Sequence, residues 1–171
     1  ARLFYNDALI TIFALGGVYA GKALNFSISE ILILGIVLNI FAAAGSFVFG
    51  RLEDKYGAKW CIEISILVLF FAVTLAFFAP FFSNIIIGKT LFWFAGILIG
   101  IMTGPSQSCS RSLMARLTPE DKTNEFFGFY AFTGKATAFL GPFFYFLISG
   151  LSGSPQAGLL IVILFFLIGY L

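Results

Sequence analysis

Histidine is absent from this 171-residue chain, and charge of either sign is scarce: ten Lys and Arg and eight Asp and Glu make up 11% of it. Soluble domains carry about 25% charged residues, so a chain that is 60% hydrophobic must be solvated largely by lipid. Without histidine, a proton relay has only Asp, Glu, Lys and Tyr to use. With two cysteines besides, no Cys/His cluster offers a metal site. Ser106, Ser108, Ser110 and Ser112 have no histidine to activate them, which removes a Ser–His hydrolase. No glycine-rich phosphate loop with a following lysine is present, so no ATPase module of that kind lies here. A dispersed net charge of +2 gives nucleic acid no track to follow. The expectation is a protein that is not an enzyme and needs no cofactor.

What is present is apolar sequence in long runs bounded by polar, proline or glycine punctuation. Six membrane spans are expected at about Leu3–Leu24, Glu30–Gly50, Trp60–Ala79, Ile85–Gly104, Phe126–Gly150 and Pro155–Leu171. Asn25–Ser29, Pro80–Asn84 and Leu151–Ser154 connect them on one side, Arg51–Lys59 and Pro105–Glu125 on the other. Within the last of these, Thr118-Pro119-Glu120-Asp121 reads as a cap, a proline start and first-turn acids, opening a short cytoplasmic helix. Arg2 precedes an apolar stretch with no small-residue cleavage site and polar region after it, so no cleavable signal is expected. The chain opens on the shoulder of one apolar segment and stops inside another, and is read as a fragment or excised half.

Basic residues orient the bundle. Arg51, Lys55, Lys59, Arg111, Arg116 and Lys122 lie on the longer-loop side with Arg2, while Lys22 and Lys89 lie near the other face, close enough to helix ends to snorkel. The positive-inside rule then places both termini in the cytoplasm. Cys61 and Cys109 fall near cytoplasmic helix ends and are expected as free thiols.

Lys135 is the costly residue. Nine steps beyond Phe126 at helical rise put it roughly 14 Å deep, near the middle of a ~30 Å hydrocarbon core. A lysine there costs on the order of 3 kcal/mol and needs a partner or a watery cavity. It shares a helical face with Gly128, Ala131, Ala138 and Pro142, and so is expected to point into the bundle. Gly96, Gly100 and Gly104 form a ridge that admits another backbone. Gly35, Asn39, Ala42, Ser46 and Gly50 share a face of the second span.

Between the second and third spans runs Gly50-Arg51-Leu52-Glu53-Asp54-Lys55-Tyr56-Gly57-Ala58-Lys59. It resembles the G-x-L-x-D-[RK]-x-G-x-[KR] loop of major facilitator transporters. Physically, Gly50 permits close packing, Gly57 suits the turn, and Asp54 can cap a helix or pair with a basic neighbour. Tyr5-Asn6-Asp7, the Ser110-to-Pro119 stretch, Glu125-Phe126-Phe127-Gly128-Phe129-Tyr130, Gly134-Lys135 and Gly141-Pro142 narrow the resemblance. Together they look like the C-terminal half of the vacuole effluxer-like family of major facilitators.

The resemblance implies an all-α polytopic bundle over residues 1–171, one three-plus-three half of a twelve-helix fold. Its partners would be the lipid bilayer, an N-terminal six-helix half and a small-molecule solute. It also implies a conformational-switch loop at Gly50, Asp54, Lys55, Gly57 and Lys59, and a cavity lined by the first, fourth and fifth spans. The expected function is secondary transport of a small solute by alternating access. Amino acids are the class that fungal members suggest, and proton coupling is left open. A bacterial inner membrane is the expected location. A non-transporting membrane scaffold, or a six-helix half that dimerises, remains the alternative.

Each candidate residue carries a blander reading beside the functional one. Lys135 serves the cavity or is a structural lysine bonded to carbonyls. Its helix depth has no matching carboxylate in the chain, since Asp7 and Glu63 both count as shallow. Asp7, with Asn6 beside it and Thr11 and Ala14 on its face, lines a cavity or favours a positive helix N-terminus. Asn39 and Ser46 contact solute or bond between helices. Gln107 and Arg111 sit at the mouth of the fourth span, Arg111 as gate ion pair or topology determinant. Tyr130, Thr133 and Thr137 offer hydroxyls to solute or bond backward to helix carbonyls. Glu63 is an interfacial carboxylate or a proton carrier.

Overall fold

The computed structural model describes residues 2–171, all helix, turn or short connection, with no strand among them. The helices are α1 (Arg2–Leu24), α2 (Ile28–Tyr56), α3 (Ala58–Phe78), α4 (Ile85–Leu117), α5 (Thr123–Ala136), α6 (Leu140–Ser152) and α7 (Pro155–Tyr170). Five segments are long and apolar enough to cross a membrane: α1, α2, α3 with the turn after it, α4, and α5 with α6 taken together. The sixth expected span, α7, is an apolar helix of 16 residues.

Two expected boundaries move for the same reason: the helices run on past the apolar sequence. The Arg51–Lys59 connection is not a loop. α2 continues to Tyr56 and α3 starts at Ala58, so the whole turn is Gly57, with φ +86°. A side chain resists that backbone conformation, and glycine tolerates it. α4 likewise continues thirteen residues past Gly104 to Leu117, running through Pro105. Pro105 has no N–H for the carbonyl of Ile101. A Cβ on Gly45 of α2 would collide with that same carbonyl, so the glycine admits the carbonyl that the proline leaves unpaired. Thr118 ends α4 as its C-cap residue instead of opening the next helix: its hydroxyl donates back to Met114 O, and a single 3₁₀ turn, Glu120–Lys122, leads into α5.

The packing has a repeat. The first helix of each triplet lies against the second and third spans of the other: α4 packs on α2 and α3, and α1 on α7 and α6. That exchange is the arrangement of a three-plus-three repeat. The glycine ridge of α4 makes the α2–α4 contact. Cβ atoms on Gly96 and Gly100 would meet Leu34 and Leu38, and one on Gly104 would strike Ser46 and the Ala42 carbonyl. Tyr19 of α1 donates to Ala76 O of α3 at 3.0 Å, and the core around it holds Leu69, Val73, Val162 and Phe166. Phe49, Ala58, Cys61 and Cys109 form a second buried cluster between α2, α3 and α4, with both thiols unpaired.

The second span of each triplet is the least covered. α2 and the α5–α6 segment bury far less of their length than α1, α3 or α4. Gly35 and Gly50 on α2, and Gly128 on α5, have open space where a Cβ would stand. Gly50 therefore does not serve close packing within this chain, contrary to the expectation for it.

Candidate functional site

The fifth span is broken. The expectation of one helix over Phe126–Gly150 gives way to α5 ending at Ala136, a turn at 137–139, and α6 starting at Leu140. The turn is closed by Ala138 N–H to Lys135 O at 3.3 Å and Leu140 N–H to Thr137 O at 2.9 Å. Pro142 supplies the cause. It lacks a donor for the residue 138 carbonyl and its ring clashes with a preceding helical turn, while the first turn of a new helix accommodates it.

The first helix straps this break. Arg2 donates to Tyr130 O at 2.8 Å and Thr133 Oγ1 at 3.2 Å, with its guanidinium 3.2 Å from the Tyr130 ring centroid. Asn6 donates to Gly134 O at 3.3 Å. Asp7 Oδ2 accepts from Gly141 N–H at 3.0 Å. Asp7 is thus not the shallow group expected. It is 1% exposed and lies against the middle of the fifth span, and the helix N-terminus it serves is that of α6 rather than its own. Gly141 is required there, because a Cβ would strike the Thr11 hydroxyl. Thr11 itself donates to Asp7 O at 2.7 Å. The second carboxylate oxygen, Oδ1, is buried with no partner.

Lys135 occupies the last turn of α5, immediately before the break. Its side chain is exposed and makes no ion pair among the described residues, and α5 buries no residue at all. The inward orientation expected for it is therefore not found within this chain. Small residues do surround it on its helix, but that face is left uncovered because the bundle closes around α1, α3, α4 and α7 instead.

Other candidates divide into two sets. Asn6, Gln107, Arg111 and Tyr130 converge, lining one polar cavity of about 150 Å³ with Arg2 and Ser106. Tyr5 joins that wall and its hydroxyl bonds Ser110. The others stay local. Asn39 is exposed and donates to Gly35 O at 2.8 Å within its own helix, and Ser46 donates to Ala42 O at 2.9 Å. Thr137 bonds backward to Thr133 O at 3.1 Å, and Thr133 to Tyr130 O at 3.1 Å. Glu63 pairs with Lys59 at 3.7 Å near the helix end. A larger, mainly apolar groove of about 680 Å³ separates α1 from α2, with Lys22 and Asn39 among its few polar groups and Ala14 on its wall.

In the switch segment, Asp54 is exposed and has no ion pair among the described residues, while Lys55 lies 5.0 Å from the Tyr56 ring centroid. The residue that reaches across is Glu53, buried and 3.5 Å from Arg116 on α4. Sequence reading passed over this pair. Its signal was the helical spacing that puts Glu53 on the buried face with Phe49 and Gly45.

Comparison with known proteins decides the family. The family described as "Vacuole effluxer Atg22 like" matches residues 1–171. The chain belongs to this family. It is 31% identical over 170 residues to an uncharacterized MFS-type transporter, YxiO, of Bacillus subtilis, covering 99% of this chain and 38% of that protein. It is 26% identical over 172 residues to Autophagy-related protein 22 of Cryptococcus neoformans, covering 95% of this chain and 30% of the relative. Autophagy-related protein 22-2 of Emericella nidulans is 24% identical over 170 residues, covering 95% and 29%. The chain thus spans about a third of the length of the curated relatives it matches. No solved structure matches it.

Proposed function

We propose that this chain is the six-span half of a major facilitator transporter that moves a small solute by rocking against a second six-helix half. The observation that carries the reading is the broken fifth span, with an exposed lysine on one side of the break and a buried carboxylate holding the other. Discontinuous membrane helices whose termini meet charged groups are a recurring feature of secondary transporters, because freed backbone groups can bind ions or solute. The exchange of helices between triplets and the uncovered faces of α2, α5 and α6 support the same reading. Those faces are the surface a second half would cover.

The substrate class we infer is a solute bearing a carboxylate, with amino acids as the leading case. Lys135 offers a cation without a carboxylate partner among the described residues, and a solute carboxylate would supply one. Proton coupling falls to Asp7 ahead of Glu63. Asp7 is buried at the break with one oxygen unpartnered, whereas Glu63 is half-exposed and paired with Lys59. Arg2, Arg51, Lys55, Lys59, Arg111, Arg116 and Lys122 mark the cytoplasmic end in this reading, with both termini of the chain on that side and a bacterial inner membrane as the setting.

The test is uptake of labelled amino acids by the full-length protein in proteoliposomes, with and without an imposed pH gradient. Uptake above protein-free vesicles, accelerated by the gradient, is expected. Equal rates with and without the gradient would remove the coupling, and no uptake of any amino acid would remove the substrate class.

A further inference from the structure

The polar cavity at the basic end of the bundle has an apolar neighbour. It lies between the first turns of α1, the last third of α4, and α5. Arg2 and Arg111 line it with the side-chain amides of Asn6 and Gln107, and no carboxylate lies on its wall. Arg111 makes no ion pair among the described residues, and Arg2 spends its known bonds on a carbonyl and a hydroxyl, neither of which neutralises it. Two uncompensated guanidinium groups beside neutral donors make a receptor for an oxyanion.

A second cavity, of about 230 Å³, shares Arg2, Tyr5, Ser110 and Tyr130 with the first. Its remaining wall is Ile62, Leu113, Met114 and Leu117, so it is apolar. A cationic pocket of headgroup size thus adjoins a greasy groove across a shared edge of Arg2, Tyr5, Ser110 and Tyr130. A free anion would use only the first part, and an apolar helix only the second. One molecule matches both: a phospholipid, with its phosphate between the arginines and an acyl chain along α4.

We propose that this adjoining pair of cavities is a binding site for an anionic phospholipid. The phosphate sits at Arg2 and Arg111, and the chain lies against Leu113, Met114 and Leu117. The site lies at the basic end of the bundle and uses neither Lys135 nor Asp7. Anionic headgroups are drawn to basic pockets between membrane helices at that end by charge, and the groove adds an apolar contact that a soluble phosphate lacks.

The experiment uses the full-length protein, delipidated in neutral detergent, with thermal unfolding and native mass spectrometry as readouts. Phosphatidylglycerol, phosphatidylcholine and inorganic phosphate are added in parallel. Phosphatidylglycerol is expected to raise the unfolding temperature and to be retained as a one-to-one adduct. Phosphatidylcholine should do so more weakly, and inorganic phosphate little. Arg111→Gln, at an exposed position, should weaken phosphatidylglycerol binding about tenfold, as expected for one lost charge-assisted contact. Leu117→Gln should weaken it without altering any response to inorganic phosphate. An equal response to inorganic phosphate would replace the lipid with a free anion and overturn the proposal. Unchanged phosphatidylglycerol binding in Arg111→Gln, or no binding in the wild type, would overturn the site.

Discussion

Asp7 and Gly141 join the first helix to the restart of the fifth span: the carboxylate Oδ2 accepts the Gly141 N–H at 3.0 Å in a fully buried contact. Among the first N–H groups of a helix, which have no helical acceptor, this one has found a side chain from another span. An acid at a helix N-terminus is favoured by the helix dipole as well as by the bond itself. The contact therefore fixes where α6 begins relative to α1, and Oδ1 is left without a partner beside it.

Asp7→Ala is expected to destabilise the protein by about 1–3 kcal/mol, since it leaves a buried N–H without an acceptor. Asp7→Asn keeps an acceptor and should recover most of that loss. Unfolding of the purified full-length protein in detergent, by temperature or SDS titration, measures the difference. Equal stability of all three would show that the bond holds nothing in place.

Lys135→Ala should abolish transport while leaving membrane insertion and yield intact. The side chain is exposed in this half and on a helix that buries nothing, so its removal costs the half no packing. Proteoliposome uptake, normalised to the amount of protein incorporated, is the measurement. Unchanged uptake would remove Lys135 from the mechanism.

Gly35→Leu and Gly128→Leu probe the uncovered faces. Neither position has a neighbour within 4 Å of a would-be Cβ in this half, so neither change should disturb its fold. In the full-length protein both should impair transport, because a large side chain on the face of a second half obstructs close helix approach. Gly45→Ala is the contrast: it meets the Ile101 backbone and should cost about 1–3 kcal/mol in stability. Normal transport by both leucine variants would place the second half elsewhere.

Cys61 and Cys109 should resist a membrane-permeant maleimide in the native protein and react after SDS denaturation, as both are fully buried without a disulfide. Mass spectrometry of the labelled protein reads this directly. Rapid native labelling would contradict the packing of α3 against α4.

Much of the candidate site could be read from residue order, and the failures are specific. Gln107 and Arg111 were legible as polar groups at the mouth of the fourth span, Asn6 and Tyr130 as candidate solute contacts on the first and fifth, and the four share a cavity. The break was also written in the chain, since Pro142 forbids an uninterrupted helix, but hydropathy alone runs smoothly across Thr137–Phe139. Asp7 was misplaced because its depth was measured along its own helix. Burial depends on what lies opposite, and Gly141 is far away in sequence.

Residue order was enough to establish the membrane environment, the number of apolar segments, the clustering of basic charge at one end and the family. These follow from composition and local pattern, where each residue's cost in lipid is nearly independent of its neighbours. Which faces meet was set by the packing of the helices. It turned Lys135 outward from its own half, put Glu53 rather than Asp54 against Arg116, and brought Asp7 to the break. Small and polar residues suit a helix contact, a cavity or an uncovered surface equally well. Only the backbone they approach chooses among the three.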